Sequence, residues 1–104
     1  MPDALPEVFA AELPKADAEF IARSQVFASE KAFTTEAGEP AWKSKPSFAV
    51  VATEDRAINP DLEREMAKRA GSKVVEVKAS HAVYQSKPAE VAKLIVEAAE
   101  SLSK

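Results

Sequence analysis

Between residues 48 and 52 the chain carries an unbroken apolar run, Phe48-Ala49-Val50-Val51-Ala52, with Pro46 just ahead of it. A strand buried on both faces reads this way, as in a parallel sheet covered by helices. From Leu62 the apolar spacing lengthens to Leu62, Met66 and Ala70, the buried stripe of a helix. The ends of that helix are written into the chain. Asn59 is a cap, Pro60 a first helical residue, Asp61 and Glu63 suit the positive end, Lys68 and Arg69 suit the negative end, and Gly71 is the stop. Residues 73–78, Lys-Val-Val-Glu-Val-Lys, predict a second short strand. A helix between two strands predicts a right-handed βαβ crossover with the strands parallel. After Pro88, the apolar positions Val91, Leu94, Ile95, Ala98 and Leu102 predict a C-terminal amphipathic helix.

The first 46 residues are less regular. Residues 1–13 hold Pro2 and Pro6 with an apolar cluster of Leu5, Val8, Phe9 and Leu13, enough for a short turn of helix. Pro14 and the spacing of Phe20, Ile21, Ser24 and Phe27 predict a helix over about 15–28. Ser29 caps a short helix containing Phe33, and the chain then breaks up around Gly38, Pro40 and Pro46. Trp42 lies in this irregular stretch, and the expectation is that Trp42 and Phe33 fill the edge of a small core.

A chain of 104 residues with 46% hydrophobic content makes one small domain with a single core. It has no cysteine, which excludes disulfides and thiolate metal sites. Fourteen Lys and Arg against 17 Asp and Glu, a net charge of −3 with both signs interspersed, give an ordinary soluble surface. Nucleic acid is not expected as a partner, because phosphate binding needs a clustered basic face. No apolar run approaches the roughly 20 residues of a membrane span. The N-terminus has neither a positive n-region nor an apolar h-region, so the expected location is cytoplasmic.

The candidate chemistry sits just after the two predicted strands. Asp55, in Thr-Glu-Asp-Arg-Ala-Ile-Asn, and His81, the single histidine, each lie beyond the carboxyl end of a strand. Parallel neighbouring strands bring both side chains to one edge of the sheet, where open α/β sheets place their ligands. A carboxylate on one imidazole nitrogen fixes the tautomer and leaves the other nitrogen free to take a proton from a hydroxyl, which is two thirds of a Ser-His-acid triad. Spacing alone also allows Asp55 to be a turn or cap residue, His81 a surface residue, and Glu54 the acid instead. One histidine without cysteine builds no familiar zinc site, and Asp55, His81 and Glu54 together would bind a metal only weakly. No glycine-rich turn comes after a strand to cradle a nucleotide phosphate, so no cofactor is expected.

The segment Pro-Ser-Phe-Ala-Val-Val-Ala-Thr-Glu-Asp through Ser-His-Ala-Val-Tyr-Gln-Ser-Lys-Pro, continuing to Ile95, resembles the C-terminal part of an α/β-hydrolase-fold protein. The similarity is to the small esterases related to plant hydroxynitrile lyases and methyl esterases. The resemblance implies a partial α/β-hydrolase fold, with Asp55 as triad acid and His81 as triad base. Residues 14–42 resemble the helical cap of that family, which divides the chain into a cap-like segment and linker over 1–46 and a βαβα unit over 47–104.

A complete member also carries an oxyanion loop and a G-x-S-x-G nucleophile elbow ahead of the acid and the histidine. The two glycines here, Gly38 and Gly71, lie in no such elbow, and Ser80 reads as a turn residue too close to His81 to be its partner. Two strands with helices leave sheet edges open, so the chain is expected to form a homo-oligomer or to complement a chain that supplies the remaining sheet. Two functions are open. One is a hydrolase half, inactive alone, that gives acid and base to a serine elsewhere and acts on small-molecule esters. The other is a non-catalytic oligomerising or binding module derived from the same scaffold. The pocket walls are expected from the missing half and from the cap residues Phe20, Phe27, Phe33 and Trp42.

Overall fold

The computed structural model describes residues 3–103. In chain order the elements are α1 (Leu5–Phe9), α2 (Lys15–Arg23), α3 (Glu30–Thr34), β1 (Phe48–Ala52), α4 (Pro60–Ala70), β2 (Lys73–Val77), α5 (Val83–Ser86) and α6 (Pro88–Leu102), with one 3₁₀ turn at Ala41–Lys43. β1 and β2 pair in parallel from Phe48 opposite Lys73 to Ala52 opposite Val77. They form a two-stranded sheet, with α4 as the crossover. The fold is therefore a partial α/β unit, as the alternation of strand and helix patterns predicts.

The signals at the ends of α4 act as expected. The Asn59 side chain accepts from the Asp61 amide at 2.8 Å, satisfying one free donor of the first turn. Gly71 closes the helix in the left-handed region at φ 68°, with its amide bonded to carbonyls of the last turn. α2 is shorter than its apolar spacing suggests and ends at Arg23. The Ile21 carbonyl, which a longer helix would give to the Gln25 amide, is taken by the Ser24 hydroxyl at 3.1 Å and the Gln25 side chain at 3.0 Å. The turn of helix in α5 has no counterpart in the apolar pattern.

Two small cores hold these elements. Ala52, Val77, Ala79 and Val83 form one, with Val50, Val75 and Val91 packed against it. Ala10, Ala18 and Ala82 form the other, flanked by Phe9 and Leu13, and it fastens α1 and α2 to the segment after β2. Leu94 is the buried residue of α6.

Several apolar residues expected inside lie outside. In β1 only Val51 and Ala52 are buried, while Phe48, Ala49 and Val50 are half-buried. α4 buries Ala67 and leaves Leu62 and Met66 about half exposed. Ile95 and Leu102 of α6 face solvent. Phe33 is 81% exposed and Trp42 40% exposed, so neither fills the core edge assigned to it. The cause is dimensional. A two-stranded sheet offers too little surface to cover three helical faces, and the radius of gyration of 15.5 Å exceeds the roughly 13 Å of a compact chain of this size. Among the described residues no helix is long and apolar enough to cross a membrane.

Candidate functional site

The parallel ladder does not stop at the ends of the strands. Thr53 donates to the Val77 carbonyl at 2.9 Å and Glu54 to the Ala79 carbonyl at 3.1 Å, so the two chains leave the sheet side by side. The Asp55 amide then turns back to the Ala52 carbonyl at 3.2 Å, which swings the side chain towards the segment after β2. There Asp55 meets His81. Oδ2 accepts from Nδ1 at 2.7 Å, and Oδ1 accepts from the Ala57 and Ile58 amides at 2.8 and 2.9 Å. Both carboxylate oxygens are therefore engaged, and the side chain is fully buried. The imidazole is 30% exposed. With Nδ1–H given to Asp55, Nε2 is left as the acceptor nitrogen, and no described residue bonds to it.

Burial pushes the Asp55 carboxyl up, but the Ile58 amide, Glu63, His81 and the Ala57 amide together outweigh it and hold it below the usual carboxylate range. Asp55 is thus a stable anion beside the ring. Glu54, the alternative acid, turns away to an exposed ion pair with Lys78 at 3.7 Å.

The chain ahead of α2 straps this pair from one side. The Ala82 amide donates to the Phe9 carbonyl at 2.9 Å, and the Phe9 ring lies 4.6 Å from the imidazole, centre to centre, tilted by 45°. Glu12 Oε1 accepts from the Ser80 amide at 3.0 Å and from the Ser86 hydroxyl. Burial raises the Glu12 carboxyl, and the bonds from Ser80 and Ser86 more than reverse this, so it lies below its ordinary value. Ser80, expected as an ordinary turn residue, is 1% exposed, and its hydroxyl makes no well-formed hydrogen bond. It is a wall of the site.

A cavity of about 480 Å³ opens beside Asp55, lined by Ala11, Glu12, Thr53, Glu54, Asp55, Arg56, Pro60 and Ser80. His81 does not line it, and neither do Phe20, Phe27, Phe33 or Trp42, all of which are exposed.

One residue of the cluster escaped the sequence reading, which gave Glu63 only a role at the positive end of its helix. Its side chain brings a carboxylate oxygen within 4.8 Å of donor atoms of both Asp55 and His81. The apolar stripe of Leu62, Met66 and Ala70 gave no signal for it, because Glu63 shares its face with Ala67, four residues on and the one buried residue of α4. Burial, then the hydrogen bond and charge of Asp55, push the Glu63 carboxyl up to about 7, against smaller lowering effects of His81 and the Ala52 amide. Asp55, Glu63 and His81 are the one such trio among the described residues close enough to share a cation. His81 Nδ1 and Asp55 Oδ2 are already bonded to each other and Asp55 Oδ1 to two amides, so the trio is not a ready set of metal ligands.

Residues 1–94 match the alpha/beta hydrolase family. Comparison with curated proteins and with solved structures gives no match.

Proposed function

Because the chain belongs to the alpha/beta hydrolase family, we propose that Asp55 and His81 are the acid and the general base of a Ser-His-acid hydrolase acting on esters or similar carbonyl compounds. The observation that supports this most is the 2.7 Å contact from His81 Nδ1 to a fully buried carboxylate, with Nε2 left free on a partly exposed ring. In the reaction, Nε2 takes the proton of a serine hydroxyl as the oxygen bonds to the carbonyl carbon, and Asp55 stabilises the imidazolium that forms. The same proton passes to the departing alcohol, and water repeats the sequence to release the acid.

These 104 residues hold no G-x-S-x-G elbow and no oxyanion donors in motif form. The serine in this reading comes from outside them, and the chain alone is inactive. The unpaired edge of β1 and the exposed apolar residues of α4 and α6 support assembly with a chain that supplies further strands.

That same exposed surface favours a second reading, a non-catalytic oligomerising module. His81→Ala separates the two. It abolishes ester hydrolysis and fluorophosphonate labelling of the complemented assembly under the first reading, while association persists. Hydrolysis that survives the substitution defeats the catalytic assignment. A fluorophosphonate adduct on the isolated chain, found by intact mass, would place the activated serine within these residues.

A further inference from the structure

Glu63 stands next to the acid and base without a part in the hydrolytic chemistry. It sits in the first turn of α4, on the face that buries Ala67, and that face turns it into the loop carrying Asp55. Its Oε2 is buried and no donor reaches it. Asp55, by contrast, is supplied with two amides and an imidazole.

Two carboxylates sharing a buried site do not both ionise, and the one with better donors keeps the charge. No lysine or arginine among the described residues changes this balance. Arg56 is held by Glu7 at 3.3 Å and Lys78 by Glu54 at 3.7 Å, while Arg64, on the same helix, is held by Asp61 at 2.7 Å and Glu76 at 2.6 Å. From the N-terminal strap, Glu12 is bonded to Ser80 and Ser86. The titratable groups facing Glu63 are therefore Asp55 and His81.

We propose that Glu63 is a positioning residue that holds a proton and donates it to the Asp55 carboxylate, fixing that carboxylate against His81 and setting how readily the imidazole takes a proton. The role in catalysis rests on the assignment of Asp55 and His81 as acid and base; the proton on Glu63 does not. A neutral Glu63 can donate to Asp55, whereas an ionised Glu63 has no proton to give and places a second negative charge beside that carboxylate. The raised Glu63 carboxyl agrees with this arrangement and puts the changeover close to neutral pH.

The test is NMR titration of the 104-residue chain, monitoring the Glu63 carboxyl carbon and the His81 ring protons. The carboxyl carbon is expected to titrate near neutrality, and a midpoint near 4.5 overturns the proposal. Glu63→Gln still offers a donor to Asp55 but never ionises. It should keep the Nδ1–H tautomer. Glu63→Ala removes the donor and should shift the imidazole ¹⁵N resonances away from those of Glu63→Gln, as the carboxylate loses its fixed position against the ring. Identical imidazole ¹⁵N shifts in the native chain, Glu63→Gln and Glu63→Ala would also overturn it. Should Glu63→Ala fail to fold, the carboxyl titration and Glu63→Gln decide. A neutral-range carboxyl midpoint supports the held proton even where His81→Ala leaves hydrolysis intact, so the two readings fail separately.

Discussion

Replacing Asp55 separates its work as a loop anchor from its work on the histidine. Asp55→Ala removes the acceptor for the Ala57 and Ile58 amides and for His81 Nδ1 together. Hydrogen bonds to a charged group contribute about 1.5–3 kcal/mol each, and a buried amide left without a partner costs about 1–3 kcal/mol. Ala57 is exposed, so water recovers part of that loss. The expected destabilisation is about 2–4 kcal/mol, a large share of the roughly 5–15 kcal/mol of a typical domain. Asp55→Asn keeps an oxygen where Oδ1 stands and both amide bonds with it, but presents an NH₂ to Nδ1. The ring must then carry its proton on Nε2, which removes the free acceptor nitrogen at a stability cost of about 1–2 kcal/mol. Urea denaturation at fixed pH measures the first quantity, and ¹⁵N shifts of the imidazole report the tautomer. Equal destabilisation by Ala and Asn would refute the anchoring role, and an Nδ1–H tautomer surviving in Asp55→Asn would refute control of the ring by the carboxylate.

The same cluster sets two further outcomes. Glu63 titrates higher in the folded chain than its ordinary 4.5, so its stabilising contribution is complete below about 4.5 and is lost as pH rises through about 7. Asp55, held below 3.8, contributes in the opposite sense, losing its share as pH falls through its lowered value. Stability should therefore be highest near pH 4–5 and lower by about 1–2 kcal/mol at pH 8, after solvent screening; urea midpoints that do not change between pH 5 and 8 would contradict this. Glu12→Ala frees the Ser80 amide and the Ser86 hydroxyl and should cost about 1–2 kcal/mol. It should also weaken the ring-current shift that Phe9 imposes on the His81 protons, and unchanged His81 shifts would show that Glu12 does not hold the strap.

The parts of the fold legible in the sequence are those written locally. Asn59, Pro60 and Gly71 mark the ends of α4 because a cap and a left-handed stop are properties of single residues. Asp55 and His81 were legible because parallel strands of matched length deliver the residues just beyond their ends to the same edge of the sheet. Glu63 was not, because the face a helix turns inward depends on the surface it packs against. The stripe of Leu62, Met66 and Ala70 pointed to one face, and the observed burial of Ala67 turns a neighbouring face inward. The Phe9 and Glu12 strap depends on pairing at separations such as Glu12 to Ser80, where no periodic pattern operates. The apolar pattern of β1 encodes more burial than the elements around it supply, which is why Phe48, Ala49 and Val50 remain half open.

The pairing of Ala52 with Val77 at the ends of the strands makes the strand register a condition of the Asp55–His81 contact. Asp55 and His81 each lie a few residues beyond that pair, and one strand step is about 3.3 Å, longer than the 2.7 Å contact between them. Sliding one strand by a single residue would part Asp55 from His81 and turn every β1 side chain to the opposite face. The Asp55–His81 contact therefore holds, at atomic scale, only while the two strands are in step.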